Sequence, residues 1–295
     1  MAKGRIQKAL SGFYYVYDDG KIYQTRARGV FRNQNITPLV GDIVEYKSET
    51  EKEGTIWDID ARKNALQRPP VANVDVGFII MSVVEPNFSF QLLDQFLVHL
   101  EHHKIEPVII ITKTDLVSDE ETNQLKNDMA YYDMMSYPIF YSSMQEWSEE
   151  EIASLTEIVD GKLSLFMGQS GTGKSTLMNT LSSDLDLETG EISKALGRGR
   201  HTTRHVELLP IFGGLIADTP GFSSLTFVDI TPEELPKLYR DFDSVSDQCK
   251  FRGCVHKDEP KCAVKALLEE GRIPQKRYDT YLAFLEEIVN QKPKY

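Results

Sequence analysis

Cysteine is scarce in this 295-residue chain: there are three thiols, all between Cys249 and Cys262. That usage excludes a disulfide scaffold, and three clustered thiols point to a metal site in a reducing cytoplasm. Long apolar runs are missing too. The best, 76–84, is nine residues and includes Gly and Ser, well short of the ~18 a membrane helix needs. The first ten residues are basic but hold no apolar segment, so no signal peptide is expected. There is no internal repeat and no low-complexity tract. What is present is ordinary: 41% hydrophobic and 26% charged residues, with 19 Gly and 13 Pro. Such a composition excludes a disordered or collagenous protein, and the length leaves room for roughly two or three domains.

The net charge of -12 argues at first against a nucleic-acid partner. The charge is unevenly placed, however. Residues 1–68 carry a balance of +3, 69–160 one of -14, 161–230 one of -1, and 231–295 are neutral. One acidic segment sets the total, and the other three are free to face an anionic surface.

Residues 1–68 read as β structure. Runs at 12–17, 21–28, 42–46 and 54–59 are rich in aromatic and β-branched residues, and Asp18, Asp19, Gly20, Pro38 and Gly41 punctuate them as turns. Short strands at this density suit an OB-type barrel, although other small barrels fit the same pattern. Pro69 and Pro70 mark a boundary. From 71 onward compact apolar runs at 76–81, 107–112, 138–142 and 162–167 alternate with helical spacing such as Leu92, Leu93, Phe96, Leu97 and Leu100. This is the signature of a buried parallel sheet in an α/β domain over 71–230. Residues 231–295 form a third unit ending in an amphipathic helix marked by Tyr278, Tyr281, Leu282, Leu285, Ile288 and Val289.

Gly168, Gln169, Ser170, Gly171, Thr172, Gly173, Lys174 and Ser175 match G-x-x-x-x-G-K-[ST] between a predicted strand and a predicted helix, which continues through Thr176. Glycines let the backbone wrap phosphates with N–H groups pointing inward at a helix N-terminus. Lys174 is placed to reach the β/γ oxygens and the Ser175 hydroxyl to bind Mg²⁺.

The base is read elsewhere. Guanine presents two adjacent donors, and a carboxylate at a strand end accepts both. Thr112, Lys113 and Asp115 close one strand: Asp115 is the candidate acceptor, with the Lys113 stem along the ring. Ser142 and Ser143, after the next strand, are candidates to offer N–H to the guanine O6. Asp218 and Gly221 end another strand in the pattern of a γ-phosphate sensor, Asp218 holding Mg²⁺ through water and the Gly221 N–H meeting the γ-phosphate. Thr202 and Thr203 are alternatives for completing the Mg²⁺ shell. Phe222 after Gly221 cannot orient an attacking water. His201 is the candidate for that task, in a basic glycine-rich loop with Gly197, Arg198, Gly199, Arg200 and Arg204. The plainer reading of His201 is a surface histidine in a flexible loop.

Every cysteine and one of six histidines fall within 249–262: Cys249, Cys254, His256 and Cys262. Three thiolates and an imidazole are a closed structural set for zinc. Lys250, Arg252, Lys257 and Lys261 surround them and favour thiolates, with RNA phosphate as a further possible ligand. His102 and His103 follow an apolar helix and fit its C-terminal end better than a metal. Arg26, Arg28 and Arg32 with Tyr14, Tyr15, Tyr17 and Tyr23 are either a stacking, phosphate-binding face or a soluble barrel's outer surface. Trp57 and Trp147 are expected to pack.

The base-reading motifs precede the P-loop, the reverse of the usual GTPase order. Chemistry requires only that the loops meet at one sheet edge. With the β head and the zinc-like tail, this order resembles the RsgA (YjeQ/YloQ) family of circularly permuted GTPases, and the entry at 69–75 is similar to the family's. The resemblance implies a multidomain chain: an OB-type barrel, a circularly permuted P-loop GTPase and an α-helical zinc-binding domain. It further implies a cytoplasmic GTP hydrolase assisting late maturation of the small ribosomal subunit, with that subunit and its rRNA as partners. No membrane partner is expected, and a monomer is. Thr112 departs from the pattern: GTPases usually carry Asn there, tying base loop to P-loop, so weaker nucleotide affinity with unchanged base choice is expected. Two other classes stay open: a P-loop kinase or ATPase acting on a small metabolite, which Asp115 argues against, and an RNA-binding assembly module using nucleotide only as a switch.

Overall fold

The computed structural model describes residues 1–143, 147–183, 206–218, 226–227 and 229–291. A five-stranded barrel opens the chain: β1 (Ala2–Leu10), β2 (Phe13–Asp18), β3 (Lys21–Ala27), β4 (Ile43–Thr50) and β5 (Glu53–Ile59), with α1 (Gly29–Asn33) between β3 and β4. The ring runs β1-β2-β3-β5-β4 and closes through β1–β4, with β3 and β5 parallel. That closure is the OB-type Greek key. The basic run of β1 hid it as a strand, yet it is the hub of the barrel. It pairs β2 and β4 and also touches the central sheet, where Lys8 meets Glu207 at 2.8 Å.

After a hairpin of β6 (Ala65–Gln67) and β7 (Pro70–Ala72), the central sheet forms from β8 (Val76–Ser82), β9 (Glu106–Thr112), β10 (Ile139–Ser142), β11 (Leu163–Met167), β12 (Glu207–Ile211) and β13 (Gly214–Asp218). Its order is β10-β9-β8-β11-β13-β12, parallel except for β12. Every residue of β8 and β11 is buried, which explains their largely apolar character: both faces are covered. Helices α2 (Phe90–His102), α3 (Asp119–Met134), α4 (Glu149–Val159) and α5 (Lys174–Ser183) connect the strands. Capping boxes start two of them, Ser118 with Glu121 and Ser148 with Glu151.

The last segment holds α6 (Arg240–Ser246), α7 (Ala263–Glu269) and α8 (Gln275–Asn290) around a core of Phe227, Leu235, Tyr239, Phe242, Tyr281 and Phe284. Val98 of α2 belongs to the same core, so this segment packs directly on the central domain. No described helix is long and apolar enough to cross a membrane.

Candidate nucleotide site and metal centre

The parallel strands bring their C-terminal ends to one edge. Ser82, Thr112 and Ser142 stand in one register row, and Met167 pairs with Ile79. The P-loop therefore leaves β11 beside Ile80 and climbs past the row. Gly168 makes this possible: its φ is +143°, and a Cβ there would lie 2.2 Å from the Ile80 carbonyl oxygen. Lys174 starts α5, and its ammonium donates to the carbonyls of Gly168, at 2.8 Å, and of Gln169. Burial lowers its pKa from the ordinary lysine value, so a polyanion beside it restores the charge that burial opposes. Ser175 and Thr176 follow on the exposed side of the first turn.

Thr112 is buried at the end of β9 and its hydroxyl lies 2.8 Å from the carbonyl oxygen of Thr172 in the P-loop and 3.2 Å from that of Met81. The tie between the loop bearing Asp115 and the P-loop is thus made by threonine. Lys113 takes a left-handed conformation, φ 60°, and turns the chain into a short 3₁₀ turn, Thr114–Leu116, that exposes Asp115. Ser142 is buried and Ser143 half-buried one strand over.

One element of this edge carries no motif. The Lys113 ammonium donates to the carbonyl of Glu85. A methyl group placed on Gly171 would sit 3.7 Å from that same oxygen and 3.8 Å from Cδ of Pro86. Ser82 Oγ donates to the Pro86 carbonyl at 2.7 Å. The Glu85–Pro86 turn therefore lies between base loop and P-loop. In sequence its only signals were Pro86 and the N-cap Ser89.

The backbone of Asp218 closes β13 opposite Glu207. His201, Thr202, Thr203 and Gly221 lie outside the described residues.

In the tail, one donor atom from each of Cys249, Cys254, His256 and Cys262 lies within 4.8 Å of the others. His256 Nδ1 is 3.3 Å from Cys262 Sγ and 3.7 Å from Cys249 Sγ. Burial pushes the Cys254 thiol up to about 12, raises Cys262 and lowers His256. A cation among these atoms reverses the thiol preference by bonding thiolates directly, so the donor set fits a metal ion. The loop is braced from α8, where the hydroxyls of Tyr278 and Tyr281 donate to the carbonyls of His256 and Val255, each at 2.6 Å.

The barrel face differs from expectation. Tyr14 and Tyr23 pack against the core, while Tyr15 and Tyr17 alternate outward. Trp57 is exposed, with the Arg28 guanidinium 4.2 Å and the Lys47 ammonium 4.8 Å from its ring centre. It is a surface residue, because outward positions on β5 have no layer above them. Trp147 does pack against the core.

Two family models match the chain: RsgA N-terminal domain over residues 3–56 and RsgA GTPase over 59–228. The chain is 52% identical to the small ribosomal subunit biogenesis GTPase RsgA of Enterococcus faecalis, over 99% of this chain and 97% of that one. It is similar to the crystal structure of YloQ, a circularly permuted GTPase, with TM-score 0.83 and 44% identity over 100% of this chain and 97% of that one. YjeQ from Thermotoga maritima matches with TM-score 0.84 and 35% identity, covering 99% of both chains. A GTPase match across more than half the chain, with likeness from end to end on either side of it, leaves a single assignment: this chain belongs to the RsgA family of circularly permuted GTPases.

Proposed function

We propose that the protein hydrolyses GTP to GDP and phosphate with Mg²⁺, promotes late maturation of the small ribosomal subunit, and is stimulated by that subunit. The observation that carries this reading is the Thr112–Thr172 bond, which locks the loop bearing Asp115 to the loop bearing Lys174. Phosphate grip and base recognition then act as one rigid site. The names of the relatives support the ribosomal role.

In this reading the P-loop amides from Gly168 to Thr176 cradle the phosphates, and Lys174 neutralises charge on the β/γ oxygens. Asp115 accepts the two guanine donors, Lys113 flanks the ring, and Ser142 and Ser143 meet O6. Ser175, Asp218 and one of Thr202 or Thr203 hold Mg²⁺, which supplies further charge neutralisation. The Gly221 N–H contacts the γ-phosphate and His201 orients the attacking water. Zinc held by the Cys₃His set keeps the tail folded. The exposed Arg28, Lys47 and Trp57 of the barrel suit rRNA by charge and stacking. We further propose a cytoplasmic monomer divided at 1–68, 71–230 and 231–295.

Hydrolysis of GTP, measured with and without small subunits, tests the reading directly. Turnover that rises with the subunit and is lost in Lys174→Ala is expected. ATP outcompeting GTP would favour a kinase or ATPase, and binding without turnover on the subunit would leave a nucleotide-gated RNA-binding module.

A further inference from the structure

A buried charge cluster lies where the terminal helix meets the central domain. Arg277 of α8 is 4% exposed and its fork is filled on three sides. Nε and Nη2 each donate to one carboxylate oxygen of Asp241 at 2.9 Å, and Nη1 donates to Asp94 Oδ1. Asp241 belongs to α6 and Asp94 to α2, so one guanidinium joins the terminal helix, the tail and the central domain. Tyr131 and Tyr132 of α3 complete the shell, their hydroxyls donating to Asp241 and Asp94, each at 2.8 Å. Apolar residues would bury this contact at lower desolvation cost. A planar fork aimed at two carboxylates instead fixes distance and rotation together.

What it fixes is the start of α2. Asp94 lies one turn beyond Phe90, the first residue of that helix. Phe90 stacks on Tyr132, ring centres 6.0 Å apart, and meets Phe88 edge-on at 4.9 Å. The Phe88 amide donates to the Val83 carbonyl at 3.1 Å and closes the loop that contains Glu85 and Pro86. That turn receives Lys113 and abuts Gly171. Packed contacts therefore run without a gap from Arg277 through Tyr132, Phe90 and Phe88 to both halves of the nucleotide site.

We propose that Arg277 is a positioning residue for guanine-nucleotide binding: by holding α2 it sets the Glu85–Pro86 turn against which Lys113 and the P-loop rest. The inference depends on the P-loop edge being the guanine-nucleotide site, so wild-type binding of a fluorescent GDP is measured first. No binding there removes the functional reading and this one with it. Given wild-type binding, Arg277→Lys keeps the charge but loses the fork, and its dissociation constant for GDP is expected to rise ~10-fold, a typical coupling between linked sites. Metal content and preference for guanine over xanthine are expected to stay unchanged. Phe90→Ala cuts the path and is expected to raise the constant comparably. In the double variant the two losses should not multiply, since both act through one turn. Amide exchange over 83–89 should accelerate in each.

Wild-type affinity in folded, metal-loaded Arg277→Lys would overturn the proposal, and so would losses that multiply. If Arg277→Lys does not accumulate as folded protein, Tyr132→Phe, which deletes only the hydroxyl bond to Asp94, takes its place in the cycle. A GDP constant equal to wild type in that variant would overturn the proposal equally.

Discussion

The hydroxyl of Thr112 and the carbonyl of Thr172, 60 positions apart in the chain, lie 2.8 Å from each other in the buried seam between two loops. One short side chain at a strand end thus ties the loop bearing Asp115 to the P-loop. It reaches because β9 and β11 flank β8 and the P-loop folds back over that strand.

Thr112→Val keeps the volume and removes the donor. It leaves the Thr172 and Met81 carbonyls facing a methyl group, and a buried acceptor without its donor costs about 1–3 kcal/mol. Affinity for GDP should fall ~10-fold or more, while Thr112→Asn should stay within ~3-fold of wild type, because its amide still donates. Titration with fluorescent GDP decides it, and an unaltered Val variant would show that the seam does not support binding.

Base choice should rest on Asp115. Asp115→Asn sets an amide donor against one guanine donor and should weaken GTP strongly. Xanthine carries a carbonyl in place of the 2-amino group, so XTP should bind this variant better than GTP does. If GTP preference is unchanged in a competition assay, the base is read by another residue.

Elemental analysis should find about one zinc per chain, held by the four clustered donors. Cys254→Ser should release it and loosen the tail around 249–262, because metal binding supplies folding energy to such loops. GDP affinity should persist, since the P-loop lies on the central sheet. Purified wild-type protein free of zinc would end the assignment.

Acid should destabilise the fold through the end of α2. Burial, reinforced by neighbouring histidines, pushes His99 down to about 3 and His103 down to about 4, although Asp229 opposes the shift at His103. A helix C-terminus favours protonated histidine, but here burial wins. Both rings stay neutral in the fold while an unfolded chain protonates them near ~6.5. Below that pH the unfolded state binds more protons, so stability is complete above it and falls as pH drops toward 4. The thermal midpoint should be lower at pH 5 than at pH 7, and His103→Gln should flatten the slope. An equal slope in both proteins would place the acid sensitivity elsewhere.

Sequence alone was sufficient for whatever depends on local chemistry. The P-loop is legible because phosphate wrapping demands glycines at set spacings, and the metal set because four soft donors within fourteen residues have few other uses. Continuous apolar runs announced buried parallel strands, since both faces of β8 and β11 must avoid water. Tertiary structure decided what depends on distance between segments. The basic strand β1 was not among the runs legible as strands, and only its three neighbours reveal a barrel hub. Trp57 looked like core until the barrel closed with its ring outside. Thr112 stood out only as a departure from Asn, and its hydroxyl's reach across 60 residues is invisible in one dimension. The Glu85–Pro86 turn was marked only by Pro86 and Ser89, and the Arg277 fork by no pattern at all. Their partners come from strand order and helix packing, and those are settled by burying the whole chain's apolar surface at once.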